Sequence, residues 1–339
     1  MTIVLDGMGS DAYPDPEVQA AIDAAIHFDE EILLVGNETI LRPKLENLNT
    51  SKAPVRLIHA PDLIEMSDKA VDGARKKPQN SMAVGLQLVK SGEAQAFVTA
   101  GNTGAAMFNG LRTLGRIPGV LRPALTAIFP VKNGRCVVLD IGANVDCRPE
   151  FLVQFAIMGS IYCQKILNVP HPRIGLLSNG EEAGKGNQLV KDTYPLLSNS
   201  GINFIGNVEG KELFGGHADV VVTDGFTGNV LLKASEAVAK LMSDWLKEEL
   251  TATLPNKIGA ALARPAFRSL KKRMDPGEVG AAPLLGIDGL VFVGHGRSDA
   301  RALFSAIKVA HHAVQVGLLD TMRTAIKQQL SEQSVSPSA

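Results

Sequence analysis

Short apolar runs recur along the chain, each leading into a turn rich in Gly, Asn or Asp and then into a segment of helical spacing. With their turns, the runs are TIVLD (2–6), EILLVG (31–36), VRLIHA (55–60), AFVTAGNTG (96–104), CVVLDIGAN (136–144), RIGLLSNG (173–180) and ADVVVTDGFTGN (218–229). Val, Ile and Leu without polar alternation predict strands buried on both faces of a parallel sheet. Between them, PEVQAAIDAAIHF (16–28) has apolar positions at 18, 21, 22, 25 and 26, the stripe of an amphipathic helix. Strands alternating with helices predict an α/β fold: three α/β/α layers, doubly wound on a mostly parallel sheet.

The segment from about 230 to 275 breaks this rhythm. Leu231, Ala234, Val238, Leu241, Met242 and Trp245 keep helical spacing to about Thr251. Pro255, Gly259 and Pro265 then read as breakers before a second helix over about 265–273. This predicts a helical pair inserted into one α/β/α domain spanning 1–330, followed by a disordered tail at 331–339.

Composition narrows the classes. A hydrophobic fraction of 45% with 20% charged residues is globular. The formal charge of −1 gives no overall pull toward nucleic acid, so none is expected as a partner. Three cysteines without a CxxC argue against a disulfide scaffold or a structural zinc site. The N-terminus lacks a basic n-region, and no stretch approaches the roughly 20 apolar residues of a membrane span. A cytoplasmic location is expected, with membrane contact only through a surface element.

Ligands in open α/β sheets bind at the carboxyl ends of the strands. Those ends carry DGMGSD (6–11), AGNTGA (100–105), DIGANVD (140–146), SNGEEAGKGN (178–187) and DGFTGN (224–229), expected to converge on one rim. Gly allows close backbone approach, and the helix N-termini that follow offer free N–H groups to an anion. The same residues also serve as ordinary turns and caps. No GxGxxG follows the first strand and no GxxxxGK[ST] occurs, so a nucleotide cofactor is not expected. The seven histidines make no metal spacing, and no metal is expected. His295 in GHGRSD (294–299) is the best-placed of them, and Arg297 shares its turn. Lys185, set between glycines, can reach a phosphate or a developing oxyanion. Asn229 opens a helix, where it can cap or donate into a site. Cys147, between Asp146 and Arg148, has no histidine near it in sequence and is a weak nucleophile candidate.

Taken together, LDGMGSD, TAGNTGA, LGRIPGVLRPAL (114–125), LDIGANVDCRPEFLVQFAIMGS (139–160), SNGEEAGKGN, INFIGNVEG (202–210), DVVVTDGFTGNVLLK (219–233) and VGHGRSDARA (293–302) resemble the bacterial phosphate acyltransferases of the PlsX type, in order from about residue 2 to 315. The resemblance implies a fold like the isocitrate and isopropylmalate dehydrogenases and phosphotransacetylases, in a homodimer without cofactor. It implies transfer of a fatty acyl group from acyl carrier protein to inorganic phosphate, giving acyl phosphate for phospholipid synthesis. Phosphate is already a nucleophile, so the protein must position it and stabilise the thioester oxyanion.

Lys185 and Asn229 are then the expected catalytic residues. Asp6, Gly7, Gly9, Asn102, Thr103, Gly104, Asn144, Asp224, Gly225, Thr227, Gly228 and His295 are the expected substrate- and phosphate-binding ones. In the helical pair, Ile258, Leu262 and Phe267 ringed by Arg264, Arg268, Lys271 and Lys272 suit an anionic membrane surface. The resemblance likewise implies peripheral membrane association. Other readings stay open: a phosphotransacetylase-like enzyme using acyl-coenzyme A, a metal- and nicotinamide-dependent dehydrogenase relative, or a non-catalytic membrane scaffold for lipid-synthesis enzymes. The basic face could instead dock the acidic carrier protein.

Overall fold

The computed structural model describes residues 1–46, 48, 54–274 and 280–335, with backbone alone for 271–274 and 331–335. The first half of the chain runs β1 (Ile3–Asp6), α1 (Asp15–Phe28), β2 (Ile32–Gly36), α2 (Glu38–Glu46), β3 (Val55–His59), α3 (Ala70–Lys76), α4 (Ser81–Lys90), β4 (Ala96–Thr99) and α5 (Thr103–Thr113). An antiparallel hairpin follows, β5 (Ala124–Val131) and β6 (Gly134–Leu139). Then come α6 (Pro149–Ile166), β7 (Ile174–Leu177), α7 (Gln188–Ser198), β8 (Phe204–Val208), α8 (Gly210–Gly215) and β9 (Val220–Val222). Three helices in succession, α9 (Gly225–Ala252), α10 (Leu254–Leu262) and α11 (Arg264–Met274), precede β10 (Ala282–Leu285), β11 (Leu290–Val293), α12 (Ala300–Gln315) and α13 (Leu318–Val335).

The strands form one sheet in the order β3-β2-β1-β4-β11-β10-β5-β6-β9-β7-β8. Successive side chains point to opposite faces, and both faces are buried. Ile3 and Leu5, Ile32 and Leu34, and Ala96 and Val98 join the core that holds α1, α6 and α12, while Val4, Leu33 and Phe97 enter the core beneath α4 and α5. On the far half, Val137, Leu139, Val220 and Val222 face the first core, whereas Val138 and Val221 face a third cluster with Leu213 of α8. The expected α/β/α layering is present, and the sheet is mostly parallel.

Three antiparallel pairings, β11–β10, β10–β5 and β5–β6, interrupt it. They reverse strand direction across the middle. By register, the carboxyl ends of β1, β4 and β11 therefore lie at one edge of the sheet, and those of β6, β9 and β7 at the other.

The expected helical pair is a run of three helices. Pro255 and Pro265 start α10 and α11 instead of breaking helices, because a first-turn N–H has no intrahelical acceptor to lose. Gly259 lies inside α10. Thr253 is both the end of α9 and the N-cap of α10; its hydroxyl accepts the Asn256 N–H at 3.3 Å. At the C-terminus α13 continues to Val335, past the expected end at 330; 336–339 lie outside the described residues. No single helix among the described residues is long and apolar enough to cross a membrane.

Candidate active site

By strand direction the predicted loops form two sets, those after β1, β4 and β11 and those after β6, β9 and β7. At the edge of β1, β4 and β11, Asp6 is buried. Its carboxylate accepts the Met8 N–H at 3.1 Å and the Thr99 hydroxyl at 2.7 Å. Burial raises its pKa, and the Thr99, Ser81 and Met8 donors oppose that rise. Asp6 thus stitches the first loop to β4 and presents nothing to a ligand. Gly9 lies against the backbone of Ala100 and Gly101: a Cβ there would come within 2.8 Å of the Gly101 nitrogen. Gly7 packs on Leu34 and Leu41, and Gly104 on Ala70.

Asn102 caps α5 by accepting the Ala105 N–H at 3.0 Å, and its amide donates to the carbonyls of Met66 and Asp68. Thr103 stands half-buried in the first turn of α5. The loop after β11 joins this edge through the Asp11 N–H to the Gly296 carbonyl, 2.7 Å. There His295 is exposed, and its Nδ1 accepts the Arg297 N–H at 3.1 Å.

Glu17 belongs to this edge and carried no sequence signal beyond a charge in a first helical turn. It is fully buried, and Oε1 accepts the Ser10 N–H at 2.8 Å. Burial pushes its carboxyl up to about 7, partly offset by the Ser10 contacts.

At the other edge the organiser is Asp140, which opens the DIGANVD loop and is not among the expected site residues. Its Oδ1 accepts the Leu125 N–H at 2.9 Å and the Ala143 N–H at 3.2 Å. Oδ2 accepts the Asn144 N–H at 2.6 Å and the Asn144 amide at 2.9 Å. Burial raises its pKa while these donors pull it back. Asn144 spends its side chain on Asp140 and on the Pro123 carbonyl, 2.8 Å away, and its own carbonyl accepts the Gly225 N–H at 2.8 Å. Asp224 caps α9 by accepting the Thr227 N–H and hydroxyl at 2.8 and 2.7 Å. Gly225 and Gly228 press against the Asp140–Asn144 segment, leaving no room for a Cβ.

Asn144, Asp224, Gly225, Thr227 and Gly228 therefore build the platform. Asn229 stands on it, exposed, with its side chain beside Gly142. Lys185 sits in the loop after β7, whose C-terminal end neighbours that of β9. Its stem covers Gly180, and its backbone N–H bonds the Glu182 carbonyl at 3.0 Å. The loop is pinned by Asn179 to the Gly186 N–H and by Asn207 to the Glu182 carbonyl. The side chains of Lys185 and Asn229 make no hydrogen bond or ion pair among the described residues. Two donors without partners, on the segments that follow adjoining strands, can receive an anion.

Two nearby groups are spoken for. Glu181, Glu209 and Glu212 approach one another closely, but the Lys211 ammonium lies among them at 2.9, 3.3 and 3.4 Å. The Cys147 thiol is half-buried against the Asn144 carbonyl, and burial pushes it up to about 12, so it stays protonated at neutral pH.

Comparison with known proteins decides the family. The family described as fatty acid synthesis protein matches residues 1–320. The chain belongs to the fatty acid synthesis protein family. A phosphate acyltransferase of Elusimicrobium minutum is 48% identical over 333 residues, covering 98% of this chain and 96% of that protein. One from Acidobacterium capsulatum is 46% identical over 317 residues, covering 93% and 94%. Among solved structures, a phosphotransacetylase from Streptococcus pyogenes superposes with a TM-score of 0.58 at 17% identity, over 96% of this chain and 94% of that one. At that identity the likeness is one of fold, and it extends to the layered sheet of this fatty acid synthesis protein. The free donors of the family member, Lys185 and Asn229, lie at the β6–β9–β7 edge, within the matched residues.

Proposed function

We propose that this chain is a phosphate acyltransferase that moves a fatty acyl group from acyl carrier protein to inorganic phosphate. The observation that carries the reading is the pair of partnerless donors, Lys185 and Asn229, in a chain 48% identical to a phosphate acyltransferase over nearly its whole length. A phosphate oxygen attacks the thioester carbonyl carbon, the C–S bond breaks, and the carrier thiolate leaves and takes a proton. The Lys185 ammonium and the Asn229 amide are donors for the phosphate and for the oxyanion formed on the way. Asp140 and Asp224 act through position, by fixing the first turn of α9.

The two loop edges are compatible with one groove. Six steps separate β1 from β9 in the sheet order. At the usual twist of about 20–25° per step the accumulated turn is roughly 120–150°, which swings edges that are opposite by register toward one side. In this reading β11, β10 and β5 floor the groove, with Thr103 and His295 on its far wall.

The test is phosphate-dependent release of free thiol from palmitoyl-carrier protein, run beside an acyl-coenzyme A donor. Preference for the coenzyme A donor would favour the chemistry named for the phosphotransacetylase fold neighbours. Lys185→Ala should lower kcat by about 10²–10³. Unchanged single-turnover formation of acyl phosphate would remove Lys185 from the chemistry.

Exposed apolar residues support two further parts of the proposal. Phe226, Val230, Val238, Leu241, Met242 and Trp245 leave a stripe of α9 uncovered, suited to the same stripe of a second copy in a homodimer. In α10, Leu254, Ile258 and Leu262 recur every fourth residue and are 72%, 57% and 79% exposed. Arg264 and Arg268 are exposed beside them and Phe267 is half-buried. The side chains of Lys271 and Lys272 lie outside the described residues. This tip suits peripheral attachment to an anionic membrane. Ile258→Glu with Leu262→Glu should abolish flotation with anionic liposomes, and unchanged flotation would remove the tip from membrane binding.

A further inference from the structure

We propose that Arg122 and Arg148, with the apolar side chains of Val145 and Leu121, form the docking surface for the acidic carrier that delivers the acyl thioester. The inference rests on the acyl-transfer reading above and adds where the donor sits.

The loop 116–123 and the segment 144–154 are bound together at three points. The Asn144 amide donates to the Pro123 carbonyl at 2.8 Å, the Leu121 N–H to Gln154 Oε1 at 2.8 Å, and the Gln154 amide to the Gly119 carbonyl at 2.9 Å. Arg122 is bracketed by two of these bonds, and Arg148 is the N-cap residue of α6 on the other segment. Both arginines are exposed. Arg148 lies over the Phe151 ring at 4.9 Å, which holds its guanidinium against the protein surface. Arg116 donates to the Leu121 carbonyl and fixes the loop from its other side.

Val145 is 59% and Leu121 39% exposed, one apolar side chain on each of the two joined segments. Asp146 and Glu150 share the segment, yet no ion pair joins either to Arg116, Arg122 or Arg148 among the described residues. By contrast, Arg42, Arg56, Arg173 and Arg323 are all paired with carboxylates. Unpaired guanidinium groups and exposed apolar side chains on two joined segments fit a partner surface of the reverse kind, a helix with carboxylates flanking apolar residues.

Position chooses the acyl donor as that partner. Val145 directly follows Asn144, whose carbonyl binds the first N–H of α9, one turn before Asn229. A carrier docked here holds its flexible thiol arm beside the proposed donors.

The test compares two donors bearing one acyl chain, acyl carrier protein and a free acyl-pantetheine thioester. For Arg122→Glu with Arg148→Glu, KM for the carrier-linked donor should rise about tenfold or more, with turnover of the free thioester unchanged. The salt dependence of that KM should shrink as well. Arg122→Glu alone, which leaves the Phe151 contact intact, should show a smaller rise in the same direction. Lys90→Glu, on α4, should change neither donor. An unchanged carrier KM in the double variant would overturn the dock, as would an equal loss with both donors. A wild-type enzyme that turns over the free thioester but neither binds nor uses the carrier defeats the carrier reading itself, and the dock with it.

Discussion

Gly228 in the first turn of α9 rests on the main-chain carbonyl of Asp140 so closely that any Cβ at 228 would enter that oxygen's van der Waals shell. The contact seats the helix that bears Asn229 on the turn that follows β6.

Gly228→Ala is therefore expected to destabilise, although alanine is favoured over glycine inside helices by about 1 kcal/mol. Forcing the helix off the carbonyl should cost about 1–3 kcal/mol net. Thermal unfolding checks the stability, and phosphate-dependent thiol release should fall further than stability alone explains. An alanine variant as stable and active as wild type would show that the seat is not needed.

Asp140→Asn tests the platform from the other side. The carboxylate accepts two N–H groups on each oxygen. An amide has one oxygen, so a pair of donors would face an NH2 group. The expected loss is about 1–3 kcal/mol for each buried donor left unsatisfied. Urea midpoints measure it, and hydrogen exchange should quicken at residues 143, 144 and 225.

Glu17 predicts a pH dependence of stability. Its carboxyl titrates near 4.5 when unfolded and at about 7 in the fold, raised by burial. The folded state holds the proton more tightly. As pH rises from about 4.5 to about 7, the unfolded chain ionises first, so this group's stabilisation declines and then levels off. The full decline is on the order of 3 kcal/mol. Glu17→Gln should remove it, so the unfolding midpoints of wild type and variant should diverge between pH 5 and 7.5. Parallel curves would show that Glu17 ionises without penalty.

Cys147 should be a bystander. With its thiol held near pKa 12, alkylation at pH 7.5 should be slow, and Cys147→Ser should keep most of its turnover. Rapid loss of activity on alkylation would contradict the buried, protonated thiol.

Much of the fold was legible because β1, β2, β4 and β9 bury both faces, and uninterrupted apolar runs record that. Strand direction is not recorded in such runs. The reversal at β10, β5 and β6 depends on which strands meet, so the split of the loops into two edges could not be read in advance. Lys185 stood out because a lysine between glycines is no turn former, whereas Asn229, expected to open its helix, lies a turn inside α9, whose N-cap is Asp224. Asn102, Asn144 and Asp224 serve as caps or braces, a role the sequence alone does not separate from ligand binding, since the atoms that cap a helix are those that bind an anion. Glu17 was invisible and Asp140 was one letter of a Gly-rich loop: a carboxylate becomes special by being enclosed, and enclosure is set by distant segments. In α1 the expected stripe included Ile26, which is 53% exposed, whereas Glu17 points inward.

The unbroken length of α9 sets a standoff. From Asn229 to Ala252 the helix rises about 35 Å along its axis, comparable to the thickness of a bilayer's interior. If the helices beyond Ala252 meet lipid as proposed, an upright α9 would hold Asn229 that far from the surface. An acyl product formed beside Asn229 would then have the length of α9 to cross before it met the bilayer.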